Sequence, residues 1–404
     1  MNDPAPVFAG LKVIDCASYI AAPAAATVLA DFGADVIKIE APGEGDPWHT
    51  AYSRMPHHNE HNFPWLMDNR NKRGLALDLK APAGREVLER LVAQADVFIT
   101  NLPLPVRERL RVRYSDFAAQ YPRLIYASLT AYGEEGPEAG KTGFDVTAYW
   151  ARSGLMDHVR ADATTEPGRA IAGMGDHPTG MALYSGILTA LYRREKTGLG
   201  SEVRSSLLAN GMWASSFLVQ AQLCGVEIPV RGPRHDTPRA LSNMYQSSDG
   251  RWFLLALTSE IRQWPAMATA VGHPEWVSDP RFIDDAARKA NARALIDVLD
   301  AAFATKPLAE WRAILDAVGL TFGIVGTVPE IAADQQAMAA GILRPLADTG
   351  MLTIDSPFTL SAAAKVPVAI APEQGEHSSA ILLEAGYSVT EIAALRSAGT
   401  IIGG

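Results

Sequence analysis

Over the first 130 residues, short β-branched runs alternate with longer segments whose apolar residues recur at three- and four-residue steps. "LKVIDC", "DVIKIE", "LALDLK", "DVFITN" and "LIYASLT" read as buried strands, and "PAAATVLADFG" and "PAGREVLERLVAQA" as helices. This alternation predicts βαβ units and a mostly parallel sheet with helices on its faces, an α/β fold. Ligands of such sheets bind beyond the carboxyl ends of strands, so chemistry is expected just after "DVIKIE" and "DVFITN".

Residues 143–157, "GFDVTAYWARSGLMD", read as a helix with an aromatic stripe, and further helices are predicted over 178–196 and 205–224. At "VRGPRHDTPRALSN" the composition turns to Pro and Arg, which marks a boundary. Beyond it "MYQSSDGRWFLLAL" predicts a hairpin turning at Asp249 and Gly250, followed by amphipathic helices to about residue 318. Strands return over 320–370, and "HSSAILLEAGYSVTEIAALRSAG" closes with two short helices. The organisation expected is a large domain over 1–225, a smaller α+β domain over 226–325, and a return to the large domain over 326–404.

Composition narrows the function. The 404 residues are 48% hydrophobic and 20% charged, ordinary for a globular protein with a sizeable core. A formal net charge of -9 argues against a broad basic surface, so no nucleic-acid partner is expected. No basic leader is present, and the most apolar stretch, "YIAAPAAATVLADFG", is broken by Pro23 and Asp31. Neither a signal peptide nor a membrane span is expected, and the location is read as cytoplasmic. Cys16 and Cys224 lie in apolar surroundings without CxxC spacing and read as small buried hydrophobes.

Few motifs carry chemistry. "HHNEH", with His57, His58, Glu60 and His61, lies between "RMP" and "NFP" rather than on a helix and is not HExxH, so no metal is expected. "PGEGD", residues 42–46, lacks the GxGxxG spacing and reads as a polar turn. "NRNKRGLALDLK" gathers Arg70, Lys72, Arg73 and Lys80 around one strand of an acidic chain, which a solvated face explains in part and a phosphate-bearing ligand explains better. There is no GxSxG elbow and no cysteine in a nucleophile's setting, so carboxylates become the candidate nucleophiles. In "GMGDHPTG", residues 173–180, Asp176 stands beside glycine and two residues before Pro178. This reads as a helix start with Asp176 or His177 as cap, and the bare flanks leave room for a bulky ligand to approach.

Taken together, "GLKVIDCASYIAAPAAATVLADFGADVIKIEAPGEGD", "NRNKRGLALDLK", "DVFITN", "PRLIYASLTAYG", "GFDVTAYWARSG", "GMGDHPTG", "GILTALYRREKTGLG" and "GEHSSAIL" resemble the class III CoA-transferases. This is the CaiB/BaiF family, which includes formyl-CoA transferase, and the motifs match in order from about residue 9 to residue 386. The resemblance implies a Rossmann-like large domain built from both chain ends, a smaller domain between, and a homodimer of interlocked rings. It implies coenzyme A as a substrate rather than a tightly bound cofactor, with an acyl-CoA and a carboxylic acid as the partners. Asp176 falls on the family's catalytic aspartate, which forms an aspartyl anhydride and then an aspartyl-CoA thioester. A helix N-terminus would favour its ionised form, and amides of Gly173 and Gly175 would serve as oxyanion donors. The implied CoA contacts are Leu77, Asp78, Leu79, Lys80, Asn101, Arg109 and Lys141, beside the cations Lys72 and Arg73.

The departures bear on substrate. Ile20 stands where formyl-CoA transferase-like members have glutamine, Ala41 where they have arginine, and residues 233–260 lack their glycine-rich loop. A less polar pocket is implied, with Ile20, Phe144, Met174 and Gly175 as its candidate lining and Trp150 and Met156 nearby. That favours medium or aryl-substituted carboxylates, among them 2-hydroxy acids. The family's α-methylacyl-CoA racemases carry a histidine before Asp in "GHD", whereas this chain has "GFD" with Phe144, which cannot carry a proton. An intramolecular CoA shift would use the same Asp176, and a non-catalytic acyl-CoA-binding subunit is the alternative that an intact Asp176 argues against.

Overall fold

A computed structural model describes residues 6–51 and 61–404. Its central sheet holds β1 (Lys12–Cys16), β2 (Asp35–Glu40), β3 (Arg73–Leu77), β4 (Val97–Thr100), β5 (Ile125–Thr130) and β6 (Glu202–Ser206). These six strands are parallel in the order β3-β2-β1-β4-β5-β6. The fold is therefore mixed α/β around a parallel sheet, and the strand order reverses between β1 and β4, where such sheets open a crevice for ligands.

Both faces of the sheet are covered, and adjacent residues of one strand serve opposite cores. Val13, Val97, Ile99 and Ile125 pack with Leu29 of the helix Ala21–Asp31 and with Leu183 and Ile187 of the helix Asp176–Thr197. Ile14, Leu75, Phe98 and Tyr126 join Leu88 of the helix Pro82–Val92 and Ile381 of the helix Ser378–Glu384. The two helices on the first face touch through small residues. A Cβ on Gly180 would lie 2.6 Å from the carbonyl of Ala21 and 3.1 Å from the Cβ of Ala24.

Two compact units divide the chain. One comprises Met1–Leu155, Arg169–Cys224 and Gln336–Gly404, and the other Met156–Gly168 and Gly225–Gln335. The sequence boundaries at 226 and 325 differ from these by the segment 156–168 and by ten residues at the far end. In the second unit β7 (Met244–Gln246), β8 (Trp252–Leu255) and β9 (Phe322–Ile324) form an antiparallel sheet over buried Tyr245, Phe253, Phe303 and Trp311. Gln246 pairs with Trp252 across the hairpin predicted at Asp249 and Gly250. In the first unit β10 (Leu343–Leu346) pairs with β11 (Met351–Ile354), and β12 (Ile401–Ile402) runs antiparallel to β3 at the sheet edge.

Several elements differ from expectation. The strand "LALDLK" ends at Leu77, because Asp78 turns to let the next helix approach: a Cβ on Gly84 would come 1.9 Å from its carbonyl oxygen. The helix expected over 143–157 is instead a wide π-type turn, Val146–Ala151, and a separate short helix, Leu155–His158. The helix Leu207–Ala214 packs backbone to backbone on it, since a Cβ on Gly211 would lie 2.2 Å from the Tyr149 carbonyl. The helix expected over 205–224 is two, broken at Ser215, and β6 occupies its first two residues. Helices Val328–Ala332 and Gln335–Ala339 interrupt the region expected to be strands. Cys16 is buried, but Cys224 is exposed rather than buried.

Candidate active site

The crevice between β1 and β4 opens into a cavity of about 890 Å³ in the first unit, at the carboxyl ends of the strands. Ser18, Tyr19 and Ile20 after β1, Asn101 and Leu104 after β4, Thr130 and Ala131 at the end of β5, and Leu207 after β6 line it. The remaining wall comes from 139–146, 169–172, Trp48 and Asp176.

Asn101 joins the two loops of the crevice. Its Oδ1 accepts from the Ser18 amide at 2.8 Å, and its Nδ2 donates to the Ser18 carbonyl at 2.6 Å. The next residue, Tyr19, is held in the left-handed region at φ 63°, a strained conformation for a bulky side chain. Its amide donates to Asp46 Oδ1 at 3.0 Å, and buried Lys38 Nζ spans Asp46 Oδ2 at 2.8 Å and the Ala17 carbonyl. Burial opposes the Lys38 charge, but Asp15, Asp46 and Glu40 outweigh it and raise its pKa. The polar turn "PGEGD" thus supplies the carboxylate that fixes the β1 loop. Tyr19 is presented to the cavity, where its ring meets Phe144 edge-on at 5.4 Å.

Asp176 is the first residue of its helix, after the N-cap Gly175, and its side chain caps nothing. The capping partner expected of Asp176 or His177 is therefore absent. Beside it Asp145, from "GFD", is fully engaged: Oδ2 accepts from the amides of Gly173 at 2.9 Å and Gly175 at 3.1 Å, and Oδ1 from Val146 at 2.7 Å. The amides expected to act as oxyanion donors are thus occupied by Asp145. Gly175 is bare for packing rather than for a ligand, since a Cβ there would lie 2.7 Å from the Tyr149 ring and 2.9 Å from the Asp145 side chain. Gly173 is required by φ +92°.

This environment works against ionisation. Burial first, then the neighbouring Asp145 and Asp68 charges, push the Asp176 carboxyl up to about 7, while His177 and the Gly173 amide pull it down. The displacement from 3.8 places a penalty of roughly 4 kcal/mol on the charged form. The helix start, expected to favour the ionised form, contributes up to about 2 kcal/mol through its dipole, which is smaller than this opposing penalty.

His177 is held at both nitrogens. Nε2 meets Asp68 Oδ1 at 2.9 Å and Nδ1 meets the Gly173 carbonyl at 3.0 Å. Asp68 is buried and its second oxygen accepts from Trp48 Nε1 at 3.1 Å. Burial disfavours the imidazolium, but the hydrogen bond to Asp68 and the charges of Asp68 and Asp176 outweigh it and raise the His177 pKa.

The basic segment expected to hold phosphate is structural. Arg70 is buried and grips Asp31 through Nε at 3.0 Å and Nη2 at 2.8 Å. Lys72 is buried too, and its Nζ lies at 2.8 Å from Asp15 Oδ2 and from the carbonyls of Pro23 and Asp68. Burial lowers its pKa to about 8. Arg73 bridges Asp35 and Glu384. None of these three turns toward a ligand, because each is consumed in joining the helices to the sheet. Leu77 is buried in β3, Asp78 accepts from the Lys80 amide at 2.9 Å, Leu79 is half-buried, and Lys80 and Arg109 are exposed. None of those five lines the cavity.

Of the expected CoA contacts, Asn101 and Lys141 do line it. Lys141 pairs with Glu138 at 2.8 Å and sits 5.1 Å above the Tyr132 ring. Of the expected substrate lining, Ile20 and Phe144 are present, whereas Met174 faces solvent and Gly175 faces Tyr149. Arg169 also lines the cavity and had no signal in the sequence. Asp145, Asp68, Tyr19 and Asp46 were missed because their roles depend on neighbours distant in the chain. Of "HHNEH", all but His61 lies outside the described residues, and no helix among the described residues is long and apolar enough to cross a membrane.

Comparison with known proteins places this site in context. The family model CoA-transferase family III matches residues 8–378. The chain is 32% identical to (R)-2-hydroxy-4-methylpentanoate CoA-transferase of Clostridioides difficile, over 95% of this chain and 96% of that protein. It is also 32% identical to cinnamoyl-CoA:phenyllactate CoA-transferase of Clostridium sporogenes, over 96% of this chain and 95% of that protein. The crystal structure of a CaiB/BaiF family protein from Brucella suis matches with a TM-score of 0.84 at 29% identity, over 95% of this chain and all of that one.

Proposed function

The chain belongs to CoA-transferase family III, and from that premise we propose that it moves CoA from an acyl-CoA to a carboxylic acid through covalent intermediates on Asp176. The observation that carries this reading is the half-buried carboxylate of Asp176 at the start of a helix, lining a cavity of about 890 Å³ and capping no backbone amide, while the neighbouring Asp145 is engaged by three amides. An Asp176 oxygen attacks the donor's thioester carbon, the C–S bond breaks, and a mixed anhydride and CoA thiolate form. The thiolate then attacks the Asp176 carbonyl carbon, the anhydride C–O bond breaks, and the donor leaves as a carboxylate. The acceptor carboxylate attacks the aspartyl thioester and expels CoA thiolate, which attacks the acceptor's acyl carbon and frees Asp176. No proton is gained or lost at any step, so the nucleophile must enter ionised.

Tyr19, Ile20, Leu104, Phe144 and Leu207 give the cavity an apolar and aromatic wall, which suits a medium or aryl-substituted acyl group. Two relatives act on a branched 2-hydroxy acid and on an aryl 2-hydroxy acid, and we assign this chain to the same class. Lys141 and Arg169 are the cavity cations suited to the CoA phosphates or an acceptor carboxylate. Racemisation is disfavoured by Phe144 and by the engagement of both His177 nitrogens. A homodimer, interlocked as in the family, is supported by Trp213, Phe217 and Leu223, which expose 81%, 77% and 76% of their surface on consecutive helices of one unit.

The test is peptide mass spectrometry after incubation with hydroxylamine and a panel of acyl-CoAs from acetyl to phenylpropionyl. A hydroxamate on Asp176 that depends on one donor is expected, with Asp176→Ala losing turnover about a thousandfold or more. Full turnover by Asp176→Ala would overturn the reading.

A further inference from the structure

The transfer cycle proposed for Asp176 needs a carboxylate, yet burial, Asp145 and Asp68 all oppose its charge. Asp145 offers no relief, because its oxygens are saturated by the amides of Gly173, Gly175 and Val146. The residue after the nucleophile is built differently. His177 faces an acceptor at each ring nitrogen, the Gly173 carbonyl at 3.0 Å and Asp68 Oδ1 at 2.9 Å. A neutral imidazole has one N–H and can satisfy only one of two acceptors, whereas the imidazolium donates to both. Asp68 cannot turn away, since it is buried and Trp48 Nε1 holds its other oxygen at 3.1 Å.

We propose that His177, kept as an imidazolium between Asp68 and the Gly173 carbonyl, is a positioning residue that supplies the counter-charge for Asp176 and for the negative tetrahedral intermediates formed on it. This rests on Asp176 being the nucleophile. Because the cycle exchanges no proton, the role is that of a fixed charge rather than a general acid, and a histidine held between two acceptors, one of them a buried carboxylate, serves it. The same hydrogen bond to Gly173 fixes the turn from which Asp176 projects.

The other ionisable groups near Asp176 and its partners are Asp145 from the "GFD" loop and Tyr149 from the π-type turn, Tyr19, Lys141 and Arg169 lining the cavity, and Lys72, whose Nζ meets the Asp68 carbonyl at 2.8 Å. They remain in place in the variants proposed here. Asn at 68 can still accept from Trp48 and donate its amide to a neutral His177 Nε2, so Asp68→Asn discharges the imidazole while keeping the hydrogen-bond frame.

The experiment is the pH dependence of kcat/KM for CoA transfer in the full-length enzyme, in wild type, His177→Gln, Asp68→Asn and the double variant. The proposal predicts that His177→Gln moves the acid limb upward by about one pH unit, a roughly tenfold loss on the acid side that closes on the alkaline plateau. It predicts that Asp68→Asn and the double variant move the limb upward by less than His177→Gln does, because each removes the opposing Asp68 charge along with the imidazolium, whose pull on Asp176 is the larger of the two. Imidazole NMR of wild type should show His177 doubly protonated at pH 7, and neutral in Asp68→Asn. An unmoved limb in His177→Gln, an equal loss at every pH, a shift that adding Asp68→Asn fails to reduce, or a neutral His177 in wild type would each overturn it. Loss of the Asp176 requirement itself would instead sink the covalent mechanism, and Asp176→Ala separates the two.

Discussion

The basic segment 69–73 and the turn 173–177 are both short, charged and close to glycine, and the fold treats them oppositely. In the first, Arg70, Lys72 and Arg73 each meet carboxylates or carbonyls within 3.0 Å, and two of the three are buried. In the second, Asp145 takes the available amides and Asp176 is left half-buried beside two other carboxylates. Saturated charges hold elements together, whereas an unsaturated charge in a cavity retains free energy that chemistry can use. Charge density along the sequence does not distinguish them.

The strongest way to break this comparison is Arg70→Ala. It leaves Asp31 buried without its guanidinium, and a loss of about 3–5 kcal/mol in unfolding free energy is expected from urea titration. A variant as stable as wild type would mean that the segment is not structural. Asp176→Asn should act in the other direction. The native carboxyl, raised to about 7, favours folding fully below the unfolded value near 3.8, and that contribution is lost as pH rises through 7. Removing the charge should therefore stabilise the protein by about 4 kcal/mol at pH 8 and by less than about 1 kcal/mol at pH 4, read from the same titrations at the two pH values. The smallest effect sharpens the contrast within the cations: Lys141→Ala and Arg169→Ala should each raise the KM for acyl-CoA about fivefold with an unchanged Tm, the charge-assisted contact of a solvated group being worth about 1 kcal/mol.

The parallel sheet was legible because a strand buried on both faces is a nearly continuous apolar run, a pattern that "VIDC", "VIKI" and "VFIT" keep with Asp15 and Lys38 as the charged interruptions. Asp176 was singled out because a glycine precedes it and a helical pattern starts directly after it, within a motif that resembles a known family. The π-type turn at Val146–Ala151 was not, since its apolar positions fit an ordinary helix and only the close approach of Gly211 explains it. Arg169 was invisible for a related reason: a cation reads the same whether it is solvated or lines a cavity.

The sequence by itself determined the α/β class and the hairpin at Asp249 and Gly250, because periodicity and local backbone preference are short-range, and its resemblance to a known family singled out Asp176, the carboxylate proposed as nucleophile. Tertiary structure decided what each charge is for. Asp15 lies 57 residues from the lysine it holds, and Asp68 lies 109 from His177. Only folding brings such groups within hydrogen-bonding distance, and only in the low dielectric it creates does pairing or isolation set whether a charge is mortar or reagent.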